Sequence, residues 1–241
     1  MTHLTAMQPA YLPWLGFFHK AMLADVFVIL DDVQFERNSF TNRNKVKAQQ
    51  GEQWLTIPLK TVGHLDKTIR QMEIADDRWR KKHWQTIYNA YHKAPYFKEY
   101  AGFFEAFYRR EGRSFIEQVC FMQYILLDFL GIKTTIKYQS SPEFKGITGH
   151  KQELILNLCK YFNADTFIFG SQGRNYADVE LFRQHGIRCY FQDYQHPVYP
   201  QQWGEFVPNM SIIDLLFNVG ANRAREIIKE GNTTKSELLE G

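Results

Sequence analysis

The chain has little of what marks a secreted, membrane-spanning or zinc-bound protein. Among 241 residues there are three cysteines, Cys120, Cys159 and Cys189, far apart and each in an apolar context. No two stand at metal-ligand spacing, so buried, reduced thiols are expected rather than a disulfide framework or a structural zinc. No apolar run approaches the roughly 20 residues of a membrane span. The amino terminus lacks a basic-then-apolar signal pattern, and a cytoplasmic location is expected. Neither sign of charge dominates. A net charge of +3 does not demand nucleic acid, but it is compatible with an anionic ligand. The eight histidines are scattered, with no HExxH or paired spacing. There is no GxSxG elbow for a serine nucleophile, no internal repeat and no low-complexity segment.

What is present is a large apolar content, 44% hydrophobic and 16% aromatic, which argues against disorder and for a globular enzyme. The segment from Met7 to Asp32 organises the rest. Leu4–Met7 reads as a short strand, and Gln8–Gly16 as a loop punctuated by two prolines. Phe17–Ala24 has helical spacing. Val26–Leu30 is the continuous apolar run of a parallel strand buried on both faces, ended by Asp31 and Asp32. A second such unit lies later: strand Thr166–Phe169, the loop Gly170-Ser171-Gln172-Gly173-Arg174-Asn175-Tyr176, a helix from Asp178 to His185, and strand Ile187–Phe191. The expected fold is α/β, a Rossmann-like parallel sheet with a helical insertion. Residues 1–75 and 132–220 would form the core, 76–131 the insertion and 221–241 a polar, frayed tail. Between these units, Gln53–Leu59 and Ile69–Ile74 read as strands. Asp76 would cap the first insertion helix, Lys93–Phe97 would break it, and Phe103–Arg110 and Ser114–Leu130 would follow as helices. Further strands and helices are expected at Thr134–Tyr138, Lys151–Phe162 and Ser211–Asn218, the last ending at Gly220.

In open α/β sheets, ligands sit outside the carboxyl ends of the strands. Three polar loops fall at such ends: Gln8–Gly16, Asp31–Lys45 and Gly170–Tyr176. The proline-rich segment after Phe191 joins them. The residue types expected to converge are Gln8, Tyr11, Lys20, Asp31, Asp32, Asn38, Asn42, Arg43, Arg174, Asp193 and His196. Fork-shaped and amide donors suit phosphate or a developing anion. Glycines at Gly170 and Gly173 let backbone N–H groups approach an anion. His196, near Asp193 in sequence, could serve as a general base. Asp31 with Asp32 could hold Mg²⁺ together with phosphate oxygens; no dedicated metal-ligand set is read.

MQPAYLPWLGFFHK, ILDDVQFERNSFTNRNKV, HKAPYF, GSQGRNY and QDYQHPVYPQ followed by SIIDLLFN occur in this order. Together they resemble the WbqC-like family of bacterial proteins, often encoded with O-antigen and other surface-sugar genes. The resemblance spans Leu4 to Gly220. It implies a cytoplasmic protein connected with nucleotide-linked amino sugars, with glycine transfer to a sugar amine as the suggested role. It places motif residues at Gln8, Pro9, Pro13, Gly16, Asp31, Asp32, Asn42, Arg43, Lys93, Gly170, Tyr176, Asp193, His196 and Asp214. Ser171 falls within the same glycine loop. Where the resemblance leads one to expect Lys, this chain has Arg174, which keeps the charge and changes the geometry. The first unit alone is also similar to the nucleotidyl-transfer superfamily that includes pantothenate synthetase, but the HxGH pair is absent. Joined, the two resemblances imply an ATP-activated amino-acid carboxylate attacked by an amino-sugar amine. His196, with Asp193 and Asp31, would then be catalytic, and Arg43 and Arg174 would hold phosphates. ATP and Mg²⁺ are the cofactors such chemistry would use. Two alternatives stand beside it: a nucleotidyltransferase acting on a sugar phosphate or carboxylate, and a non-catalytic nucleotide-sugar binding protein. Nucleic acid is expected only as an aminoacyl-tRNA donor.

Overall fold

A computed structural model describes residues 1–240. In chain order the strands are β1 (His3–Met7), β2 (Val26–Ile29), β3 (Arg43–Ala48), β4 (Gly51–Thr56), β5 (Thr135–Tyr138), β6 (Thr166–Gly170) and β7 (Arg188–Gln192). The helices are α1 (Leu15–Leu23), α2 (Arg78–Tyr91), α3 (Phe97–Arg109), α4 (Phe115–Phe129), α5 (Gln152–Phe162), α6 (Val179–Gln184), α7 (Ile212–Glu230) and α8 (Lys235–Glu240).

Five strands form one parallel sheet in the order β5-β2-β1-β6-β7. The fold is therefore α/β and Rossmann-like, as the sequence indicates. Alternation divides the side chains of β2 between the two faces. Val28 packs with Leu4, Ala6, Phe167 and the apolar stripes of α5 and α6. Phe27 and Ile29 face a larger core shared with α1, α4 and α7. From β1 the chain winds to β2 on one side, and after β5 it returns to β6 on the other. The direction of winding thus reverses between the adjacent strands β1 and β6, and side chains beyond their carboxyl ends are splayed apart by the diverging connections.

The remaining strands depart from expectation. Arg43–Lys45 is not loop. Arg43–Ala48 pairs antiparallel with Gly51–Thr56 as a separate hairpin, turned at Gly51 with φ 102°. Its charges conceal an alternation in which Asn44, Val46 and Ala48 are buried, along with the stem of Lys47. The strand expected at Ile69–Ile74 is a 3-10 turn, Ile69–Gln71, because Gln71 Oε1 accepts the Thr68 N–H at 2.9 Å while Gln71 N–H donates to Thr68 O at 3.0 Å. α3 begins at Phe97, earlier than expected, since Tyr100, Phe104, Phe107 and Tyr108 extend one buried stripe. Gly220 breaks α7 rather than ending it: its φ is 73°, and the Tyr96 ring lies 2.7 Å from where a Cβ would sit. The tail is also more ordered than expected. Lys235 Nζ pairs with Asp25 at 2.5 Å, and Leu238 is buried against Leu23 and Ile168. Gly241, the last residue of that tail, lies outside the described residues.

Candidate functional site

A cleft of about 620 Å³ lies at the carboxyl ends of β1, β6 and β7. It coincides with the reversal between β1 and β6, where the fold leaves room for a ligand. Its floor is Met7, Gln8 and Lys20; one wall is Gly170–Gly173 with Tyr176; the other is Gln192–Gln195. Trp14, Phe40 and Thr41 close the remaining side.

Local structure explains how these groups are aimed. Tyr11 N–H bonds Thr41 O at 3.0 Å, Asn44 Nδ2 donates to Leu12 O at 2.6 Å, and Gln123 Nε2 donates to Ala10 O at 3.0 Å. The 8–14 loop is therefore pinned from the hairpin and from α4. Thr41 Oγ1 donates to Gln8 Oε1 at 3.2 Å, orienting that amide in the cleft. Gly173 packs so closely on Phe169 that a Cβ would lie 2.6 Å from it, which holds the 171–175 turn against β6. Gln192 Nε2 donates to Gly16 O at 3.0 Å and to His19 Nδ1 at 2.7 Å, leaving His19 Nε2–H to donate to Thr233 O at 2.9 Å. That pattern needs a neutral imidazole, in accord with burial lowering the His19 pKa.

Lys20 is the singular group of the cleft. It is only 3% exposed, yet its ammonium has no ion-pair or hydrogen-bond partner among the described residues. Desolvation pulls its pKa down to about 7. A buried cation without a counter-ion is costly, and an anion entering the cleft supplies what is missing.

The structure brings Gln8, Lys20, Gly170, Ser171, Tyr176 and Asp193 to this cleft. Arg174 stands behind Asp193, gripping its carboxylate with two bonds of 2.6 and 2.7 Å while stacking 5.0 Å over Phe191. The other expected residues go elsewhere. Tyr11 is fully buried, with its hydroxyl between His83 Nδ1 at 2.9 Å and the Tyr108 hydroxyl. Asn42 Nδ2 donates to Ile57 O at 2.8 Å. Asn38 and Arg43 bind each other and line a small separate pocket, with the guanidinium 4.5 Å over Trp54. Lys93 is exposed in the turn between α2 and α3. His196 packs among Tyr194, Tyr199 and Phe206, its Nδ1 3.2 Å from Pro197 O and its Nε2 buried without a partner. It does not line the cleft, and Asp193 is engaged by Arg174 rather than by His196. Trp14, Phe40, Gln192 and Gln195 were not among the expected site residues; the only hint is their position at or beside strand ends.

The acids after β2 do not fit a shared Mg²⁺. Asp31 is 3% exposed and accepts the N–H of Ser140 at 2.9 Å as well as its hydroxyl. Asp32 pairs with Arg70 at 2.5 Å. Among the described residues, no three His, Cys, Asp or Glu side chains gather as metal ligands. No helix among them is long and apolar enough to cross a membrane. The three cysteines are free thiols.

Comparison with known proteins adds a family. The model of the WbqC-like protein family matches residues 8–226. The uncharacterized protein Rv1507c of Mycobacterium tuberculosis is 34% identical over 230 residues, covering 92% of this chain and 95% of its own length. No solved structure matches.

Proposed function

For a chain that belongs to the WbqC-like protein family, we propose a transferase of bacterial surface-sugar biosynthesis that acts on a nucleotide-linked amino sugar at the carboxyl ends of β1, β6 and β7. The observation that carries this reading is the unpartnered Lys20 at the sheet's point of reversal. The phosphates of the ligand would pair with the Lys20 ammonium, restoring its charge. The half-exposed Trp14, Phe40 and Tyr176 offer flat apolar surfaces for a base or a sugar ring, and the Gln8 amide lies on the floor. The reaction proposed is transfer of glycine or another acyl group from an ATP-activated carboxylate to the sugar amine: the amide C–N bond forms as the acyl C–O bond to the phosphate leaving group breaks. The attacking amine must lose a proton, and Asp193 at the rim is the carboxylate nearest to hand in the cleft.

A second reading has its own observation. The cleft holds no paired nucleophile and base: Asp193 is held by Arg174, and His196 lies elsewhere. A non-catalytic nucleotide-sugar binding protein would need nothing more. Thermal-shift measurements against uridine- and thymidine-diphosphate amino sugars, ATP and coenzyme A separate the readings, followed by mass analysis of sugar product with glycine plus ATP as donor. A shift with an amino-sugar nucleotide, lost in Lys20→Met, together with an acylated product supports transfer. The same shift with no product under any donor supports the binding protein. No shift from any sugar nucleotide contradicts both.

A further inference from the structure

A second cleft, of about 750 Å³, opens at the opposite end of the sheet. Leu23–Asp25 before β2, Gly131–Thr135 before β5, and the connection from α7 to α8 bound it. Four cations line it, Lys133, Arg225, Lys229 and Lys235, against a single acid, Asp25. Lys235 is neutralised by Asp25 at 2.5 Å. The other three have no acidic partner among the described residues. The contrast within α7 is direct: Arg223 pairs with Glu226 at 2.9 Å and with Glu230 at 3.3 Å, whereas Arg225 and Lys229, one turn apart, present their charges to the cleft.

Helix ends account for only part of these charges: Lys229 sits in the last turn of α7, whereas Lys133 and Arg225 lie outside any last turn. α1 and α4 both terminate here, and cations at such ends are commonly caps. Several of their terminal carbonyls already have partners. Ala21 O accepts from Ala24 N–H and from the Thr134 hydroxyl. Leu126, Leu127 and Asp128 O accept from the N–H groups of Leu130, Ile132 and Gly131. Three uncompensated cations within one concavity concentrate positive potential where a solute can enter. A monocarboxylate would leave two of them unneutralised; a group with several anionic oxygens can pair with more than one of them. On one side the hydroxyls of Thr233 and Thr234 donate to the Glu237 carboxylate at 3.1 and 2.9 Å, with the Ser236 hydroxyl 3.0 Å from that of Thr234, and Met22 and Ile132 form an apolar ledge.

We propose that this cleft binds a small molecule carrying two or more phosphate groups. The site lies at the opposite end of the sheet from the cleft that Lys20 lines and does not depend on the reading of that cleft. Calorimetric titration with inorganic pyrophosphate and tripolyphosphate tests it, magnesium-free and against sodium chloride of equal ionic strength. Binding beyond the chloride control is expected. It should weaken at least tenfold in the combined variant Lys133→Ala, Arg225→Ala, Lys229→Ala, and stay within threefold in Arg225→Lys. Amide resonances of residues 131–135 and 233–236 should shift in the unaltered protein, which tests the location without any variant. No binding beyond chloride, undiminished binding in the combined variant, or shifts confined to residues 170–173 would each overturn the proposal.

Discussion

Lys20 and Lys47 are buried alike, at 3% and 2% exposure, but their ammonium groups meet different surroundings. Lys47, on β3, donates to Gly204 O at 3.3 Å and to Glu205 O. Nearby, the wholly buried Asp214 accepts from Tyr91 at 2.8 Å, Tyr199 at 2.9 Å and Gln201 at 2.8 Å. Burial raises the Asp214 pKa, and these donors with the Lys47 charge oppose the rise. That region is a satisfied polar knot joining α2, β3, α7 and the 199–205 loop. Lys20 has no such partners and faces a cleft. A completed buried charge fastens the fold, whereas an incomplete one costs stability that an anionic ligand would restore.

The largest effects should come from breaking the knot. Asp214→Leu strands three donors and removes the buried negative charge near Lys47, and it is expected to cost about 3–5 kcal/mol in denaturant unfolding. If the loss were below about 1 kcal/mol, the contrast between the two lysines would fail on its structural side. Lys20→Met should act in the opposite direction, stabilising the protein by on the order of 3 kcal/mol at pH 7. The sign follows from linkage. The folded pKa of about 7 lies below the ordinary lysine value of 10.5, so between them the unfolded chain binds more protons and wild-type stability rises with pH. The advantage of Lys20→Met should therefore shrink above pH 7 and vanish near pH 10.5. A pH-independent gain would point to packing alone.

His83 sharpens the comparison in acid. It is buried against Tyr11 and Trp79, and desolvation pushes its pKa down to about 3 from 6.5. Protonation is then disfavoured in the folded state, and stability should be lost as pH falls from about 6.5 toward 3, by a few kcal/mol in all. His83→Gln should flatten that slope in acid unfolding. The smallest stability effect is expected at the half-exposed Arg174–Asp193 pair. Arg174→Ala should leave the melting temperature unchanged and weaken sugar-nucleotide binding several-fold, because Asp193 is left uncompensated at the rim. A lowered melting temperature with intact binding would make the pair a structural latch.

The parallel sheet was legible because its strands are short, continuous apolar runs, and the cleft followed from the rule for strand carboxyl ends. Gln8, Lys20, Gly170, Ser171, Tyr176 and Asp193 are together because each sits on or just past an element whose direction the periodicity sets. The residues that went elsewhere were claimed by partners distant in sequence, which spacing does not reveal. Asp31 is taken by Ser140, 109 residues on, and Tyr11 by His83, 72 residues on. Arg43 was misread along with its strand, since alternating charges on a hairpin resemble a polar loop. Asp214, with a motif position but no assigned role, proves to be the centre of the satisfied knot.

The most direct test of the role given to Lys20 is calorimetric titration of the wild type and Lys20→Met with a uridine-diphosphate amino sugar at pH 8, in two buffers of different ionisation enthalpy. Wild type is expected to bind with uptake approaching one proton per ligand, as the lysine regains its charge, and Lys20→Met to bind at least tenfold more weakly without uptake. Equal affinity in the two proteins, with no proton taken up by the wild type, would contradict it.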